Sequence, residues 1–351
     1  MNTTSKDFNI DHPDIKKDIE NPTSPRTVFG VMVEALRLRR QLGYGPVTGL
    51  CCDNLEKNGV VLHRAVTKLA EQIDPDLAEW ISENCSFPCS MVDCIVPSTG
   101  AYELELVQAY SLNDNVPVTH ENFRQWVIED NFCAGRPDLE KVGVIFTKKV
   151  HYYETMKIRL LNGGHQIIAN VGELLSLVTI SDCMQDTRIA SLFVKILSEE
   201  IAPHVESVPN KTPAEYIELI QKRFSNPTVV DTTRRVAFDG SSRHPGFLVP
   251  SINKAVETGS SISGLALAEA IWARMCEGTR EDGSKIEPND PNWFDLERTA
   301  RVAKEKPSAW LDQRQYYGHL NSNKIFSDTF ANWLRKIWNS GVEAAIDDYL
   351  Q

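Results

Sequence analysis

The sequence has no run of 18 uninterrupted apolar residues, which argues against a membrane-spanning helix. Its N-terminus is polar and lacks the apolar stretch of a secretory signal, so a cytoplasmic location is expected. Positive charge is in deficit: 37 Lys and Arg stand against 48 Asp and Glu, a net charge of -11. Such a surface repels phosphate backbones and speaks against nucleic acid or an anionic membrane as a main partner. The eight cysteines (Cys51, Cys52, Cys85, Cys89, Cys94, Cys133, Cys183 and Cys276) show no regular pairing. Most lie in apolar runs, as buried thiols of a reducing compartment do. Cys85 and Cys89 are four apart, but no Cys/His pair follows at zinc-site spacing, so no metal is expected. The glycosylation patterns at Asn2 and Asn210 mean little in a chain with no export signal. No G-x-S-x-G or H-E-x-x-H motif is present. Gly43-Tyr44-Gly45 precedes a strand-like run instead of following one, the wrong context for a phosphate-binding glycine loop.

What is present is a chain of 351 residues, 42% hydrophobic, enough for two ordinary cores. Residues 1 to 27 are polar and read as an extended or loop segment, since Pro22 and Pro25 block an early helix. Thr27 caps an expected helix through Leu42. Short apolar runs at Val47 to Cys52, Ser90 to Val96, Trp126 to Asp130 and Val142 to Phe146 then alternate with helical segments at Val60 to Ile73 and from Pro75 to Ser82. This predicts α/β layering with a mostly parallel sheet. After about residue 148 the period becomes helical: Met156 to Ile180, Ile189 to Ile201, Pro213 to Phe224, Ser261 to Met275 and Phe326 to Leu350. The expected division is 1–148, α/β, and 149–351, all-α, with no internal repeat.

The densest polar cluster runs from Lys157 through Arg159 and Asn162 to Gly163, Gly164 and His165. The paired glycines suggest that something approaches this backbone closely. In an α-helix, Lys157 and Asn162 would stand about 140° apart round the axis and meet only through the long lysine stem. A lysine serves as a base near neutrality if burial or a positive neighbour lowers its pKa by about 2 to 3 units. An asparagine amide can stabilise a developing alkoxide. The blander reading is a solvated lysine, a helix-interior asparagine and a core histidine. Asn54 follows one strand-like run and Asp93 interrupts another. Ligands of parallel α/β sheets gather at the carboxyl ends of strands. Asn54 is otherwise a turn residue, and Asp93 is either an outward-facing side chain or a buried functional acid. Thr233 to His244 holds Arg234, Arg235, Arg243, Asp239 and His244, which suits a polyhydroxylated or acidic ligand or, more plainly, a solvent-facing Asp-Gly turn.

Taken in order, these segments resemble the mannitol dehydrogenase family of zinc-independent polyol dehydrogenases. The landmarks are Pro25-Arg26-Thr27-Val28-Phe29-Gly30, Cys52-Asp53-Asn54-Leu55 with Asn58-Gly59, and Met91-Val92-Asp93 with Ile95 and Pro97. Trp126-Val127-Ile128-Glu129-Asp130 with Gly135-Arg136-Pro137 follows, then Tyr153-Glu154, Met156-Lys157 and Arg159-Leu160-Leu161-Asn162-Gly163 with His165. Arg223-Phe224 with Asn226-Pro227, and Asp239-Gly240-Ser241, complete the set. The resemblance covers about Asp18 to the C-terminus.

The resemblance implies a Rossmann-like α/β part followed by an all-α domain of the 6-phosphogluconate dehydrogenase type. It implies NAD- or NADP-dependent, metal-free interconversion of a polyol and a ketose, or reduction of a sugar acid such as fructuronate or tagaturonate. Residue by residue, Lys157 is the implied general base, Asn54 and Asn162 the amides flanking the reacting oxygen, and His165 an orienting group. Asp93, Arg235 and Arg243 match substrate-pocket positions. Cys94 and Arg243 stand where the family pattern has Arg and Lys, which leaves substrate choice open. Against that pattern the phosphate-binding strand and turn are expected to be missing at the front, which leaves the cofactor-binding residues unassigned. A partner chain or self-association covering the sheet edge, or a non-catalytic role as a binding protein, is the rival expectation.

Overall fold

The computed structural model describes residues 9–351. They divide into two compact units. The first comprises the described residues through Cys94 together with Phe123–Glu154; the second comprises Ile95–Asn122 and Thr155–Gln351.

In the first unit, helices α1 (Pro13–Glu20), α2 (Val28–Gln41), α3 (Asn58–Ile73) and α4 (Pro75–Asn84) surround one apolar core. Ile15, Val33, Leu36, Val66, Leu69, Leu77 and Ile81 are its centre. Helix α1 was expected to be an extended or loop segment; Pro13 instead occupies its first turn, where the missing N–H costs nothing. The part of that expectation before residue 9 lies outside the described residues. Thr27 caps α2 by accepting from the Gly30 amide, as its sequence position suggests.

Three strands form the sheet: β1 (Ser90–Asp93), β2 (Gln125–Glu129) and β3 (Ile145–Thr147), in that spatial order. β2 and β3 are parallel, with Val127 opposite Ile145. β1 and β2 are antiparallel, with Met91 opposite Val127, so the sheet is mixed and the mostly parallel expectation is corrected. The run Val47 to Cys52 forms a single bridge, Thr48 to Ser86, because only Gly49 N–H finds a carbonyl partner on the neighbouring segment. It therefore lies outside the sheet.

Between β1 and β2 the chain leaves the first unit. The segment Ile95–Asn122 carries helix α5 (Ala101–Ala109) and belongs to the second unit. Helix α6 (Val150–Met156) spans the junction, and the long helix expected from Met156 to Ile180 is interrupted twice. Lys157–Asn162 is a π-helical turn; α7 (Gly163–Leu174) then ends, and α8 (Ile180–Gln185) starts afresh under a Thr179 cap. α9 (Thr187–Ile196), α10 (Pro213–Phe224), α11 (Thr233–Ala237), α12 (Gly240–Phe247), α13 (Val249–Thr258) and α14 (Ser263–Met275) follow. The stretch 233 to 244, for which a solvent-facing loop was one of two readings, is thus largely helical.

Helix α14 is buried on every side from Gly264 to Met275 and is the axis of the second unit's core. The closing helical stretch breaks at Gly341, whose φ of 86° favours glycine and ends the helix Lys324–Ser340. Among the described residues no helix is long and apolar enough to cross a membrane.

Candidate active site

The π turn is the organising feature of the second unit's polar cluster. Its hydrogen bonds span five residues instead of four: the Gly163 amide, for example, donates to Ile158 O. Residues five apart therefore come one above the other along the helix. Lys157 and Asn162, opening and closing that turn, are aligned by it, where an α-helix would hold them well apart. Both are buried, at 8% and 6% exposure. The solvated-lysine reading is excluded by that figure. Arg159 turns away and donates to Gly246 O at 3.0 Å, at the end of α12.

The glycines after the turn permit packing against protein, not a ligand. A Cβ on Gly164 would stand 2.6 Å from the Phe193 ring of α9, and one on Gly163 would stand 3.2 Å from Leu248. This close approach settles α7 and with it His165. The His165 ring stacks on Phe224 with centroids 3.9 Å apart and planes 10° from parallel. His165 keeps an accessible edge, yet its Nε2 is buried and has no hydrogen-bond partner. Burial holds its pKa well below the ordinary imidazole value, and the positive charges of Arg235, Arg223, Arg243 and Lys157 push the same way. These positive side chains all favour the neutral imidazole.

Arg235 and Arg243 line one cleft of about 410 Å³, with Arg234, Ser98, Thr232 and Asn289 among its other walls. Thr232 caps α11, which carries Arg234 and Arg235 in its last turn. Buried Asp231 receives both Arg235 Nε and Nη2, at 2.6 and 2.5 Å, and fixes the guanidinium plane. Arg243 donates to Val236 O at 2.6 Å. Burial lowers its pKa from the ordinary value, and the like charge of Arg235 lowers it further.

The sequence reading left Arg223 outside the site. It forms a buried ion pair with Glu121, Nη2 to Oε1 at 2.7 Å, with exposures of 5% and 4% for the two side chains. Glu121 also accepts from the Ile95 amide at 2.7 Å, closing the segment 95–121 on itself. A basic residue directly before the aromatic that stacks on His165 was the available signal.

In the first unit, Asp93 ends β1 and is 2% exposed, which decides its alternatives in favour of a buried acid. Asn54 lies on an exposed turn in which its own amide donates to Asp53 Oδ1 at 2.9 Å. Glu154, also missed, accepts from the Lys57 amide at 3.1 Å, at the start of α3. Burial pushes its carboxyl up to about 7; the Lys57 amide opposes that, and the negative Glu56 and Glu129 add to it. Among the described residues no cluster of three or more His, Cys, Asp or Glu could hold a metal ion. None of the three strands leads into a G-x-G-x-x-G turn. No residue is therefore assigned to the phosphates of a dinucleotide.

The chain thus joins an α/β unit with a mixed sheet to a helical unit that holds a buried lysine and a buried asparagine on one π turn. Family models agree: the mannitol dehydrogenase Rossmann domain matches residues 1–141, and the mannitol dehydrogenase C-terminal domain matches 149–338. Mannitol 2-dehydrogenase of Cereibacter sphaeroides is 48% identical over 98% of this chain and 72% of that one. D-mannonate oxidoreductase of Escherichia coli is 41% identical over 82% of this chain and 59% of that one. The structure of Pseudomonas fluorescens mannitol 2-dehydrogenase in ternary complex with NAD and D-mannitol superimposes with a TM-score of 0.90. That match is at 32% identity and covers 99% of this chain and 72% of the other. The chain belongs to the mannitol dehydrogenase family.

Proposed function

We propose that this chain interconverts a polyol and a ketose of the mannitol/fructose type, using NAD or NADP, with Lys157 as the general base. The observation that carries this reading is the alignment of buried Lys157 with buried Asn162 on one π turn. A nicotinamide, when bound, accepts or returns the hydride. Lys157 takes the hydroxyl proton as the alcohol becomes a carbonyl and returns it in the other direction. The amides of Asn162 and Asn54 donate to the oxygen as negative charge grows on it, where fixed dipoles act most strongly. Neutral His165 orients the hydroxyl without adding another charge beside the arginines near it. Asp93, Arg235 and Arg243 hold the remainder of the polyol. The name of the Cereibacter sphaeroides relative supports the substrate class.

A sugar-acid substrate is a second reading, favoured by the three guanidinium groups of Arg234, Arg235 and Arg243 in one cleft and by the likeness to D-mannonate oxidoreductase. A carboxylate would find planar, bidentate donors there. The deciding assay follows nicotinamide absorbance with fructose, fructuronate and tagaturonate in turn, with both NADH and NADPH. Fructose turning over fastest supports the first reading; fructuronate or tagaturonate turning over fastest transfers the proposal to the second. A folded chain inert with all three abandons both, and calorimetric titration with NADH then tests for a binding role.

A further inference from the structure

Asn58 makes five hydrogen bonds with one buried amide, none of them to another side chain. Its two Nδ2 hydrogens are shared among Cys51 O at 3.1 Å, Asp53 O at 3.0 Å and Ser90 O at 2.8 Å. Its Oδ1 accepts from Ser90 N at 2.9 Å and from its neighbour Gly59 N at 2.8 Å. The residue is 1% exposed. Two carbonyls of the exposed turn 51–54 are thereby tied to the first residue of β1, and α3 starts from the same point.

Gly59 is required for this. A Cβ there would stand 2.4 Å from Phe87 O and 2.6 Å from Pro88 O, so any side chain would push α3 off the segment leading into β1. The far end of the turn is tied as well. Lys57 adopts a left-handed φ of 56°, and its amide donates to Glu154. Between these two anchors lie Asn54 to Glu56.

A turn is a poor platform for a directed dipole unless its backbone is held, since a displacement of about 1 Å can cost about a hundredfold in rate. We propose that Asn58 is a positioning residue: by gripping the carbonyls of Cys51 and Asp53 and both backbone polar groups of Ser90, it sets the place of the Asn54 carboxamide on the turn beside β1. This rests on the role given to Asn54 above.

The test uses the full chain with Asn58→Asp, which keeps both accepted hydrogen bonds but turns a carboxylate toward three carbonyls. Asn58→Ser, which keeps one donor, serves if the aspartate does not fold. Each is measured alone and together with Asn54→Ala. The expected result is a fall in kcat of about 10- to 100-fold with KM within about threefold, and no further fall when Asn54 is already alanine. Amide exchange in residues 51–57 is expected to accelerate at least about tenfold while the rest of α3 stays protected. A loss that persists in full on the Asn54→Ala background, or unchanged exchange in 51–57, overturns the proposal. If the unaltered chain turns over no polyol or sugar acid, the function proposed above fails. The exchange measurement then decides alone whether Asn58 holds the turn.

Discussion

Lys157 and Asn162 open and close one π-helical turn, which brings two residues five apart nearer one face of the backbone than an α-helix would. The extra residue in the turn is what brings them into line. Replacing Lys157 with methionine preserves much of the volume and removes the base. We expect turnover to fall by about 10²- to 10⁴-fold, the usual worth of general acid–base catalysis. Asn162→Ala should cost about 10²- to 10³-fold in kcat. Polyol oxidation followed by nicotinamide absorbance checks both. A Lys157→Met variant retaining a tenth of the activity would remove the lysine from the mechanism.

His165 should remain neutral across the physiological range. Burial and four positive side chains oppose its protonation. An unfolded histidine takes up a proton below about 6.5, and the folded one refuses it, so its contribution to stability declines as pH falls below that value. Urea midpoints measured from pH 8 down to pH 5 should show this slope, reduced in His165→Gln. An NMR titration of the ring with an inflection near 6.5 would contradict the assignment.

Glu154 has the opposite sign. Its folded carboxyl holds a proton up to about 7, against an ordinary glutamate value of 4.5. Between those values the folded state binds more protons than the unfolded, so this group's stabilising contribution is full below about 4.5 and declines as pH rises to about 7. The effect is on the order of 3 kcal/mol. Glu154→Gln keeps an acceptor for the Lys57 amide and should flatten the profile between pH 4.5 and 7. A variant with an unchanged slope in its urea midpoints would assign the dependence to another group.

The Glu121–Arg223 pair is buried on both sides. Removing one partner strands a charge, and Glu121→Gln should destabilise the chain by about 3–5 kcal/mol. Removing both with Glu121→Leu and Arg223→Met should cost less in a urea titration, about 1–3 kcal/mol, because the buried Ile95 amide loses its acceptor. The double variant also strips one cation from around His165. A double variant as unstable as the single one would mean that the pair is needed for more than charge balance.

Much of the local structure was legible in the sequence because it depends on neighbouring residues. Thr27 and Gly30, Pro213 and Phe224, and the apolar run of α14 mark elements whose observed bounds lie within a few residues of those expected. The α/β-then-α order and the family were legible too, since ordered motifs such as Cys52-Asp53-Asn54-Leu55 survive in the linear chain.

Other features were decided only in three dimensions. A π turn has no distinct side-chain period of its own, so Lys157 to Asn162 reads as an ordinary helix until its hydrogen bonds are seen. The antiparallel pairing of β1 with β2 depends on where the 95–122 segment goes, which lies in long-range contacts. Whether Asp93 is buried, whether Arg235 is held by Asp231, and whether one amide at Asn58 gathers three carbonyls are likewise tertiary facts. Composition and spacing specify which groups are available for hydrogen bonding. Only close packing, which excludes water and leaves each buried polar atom to find a partner, determines which groups meet.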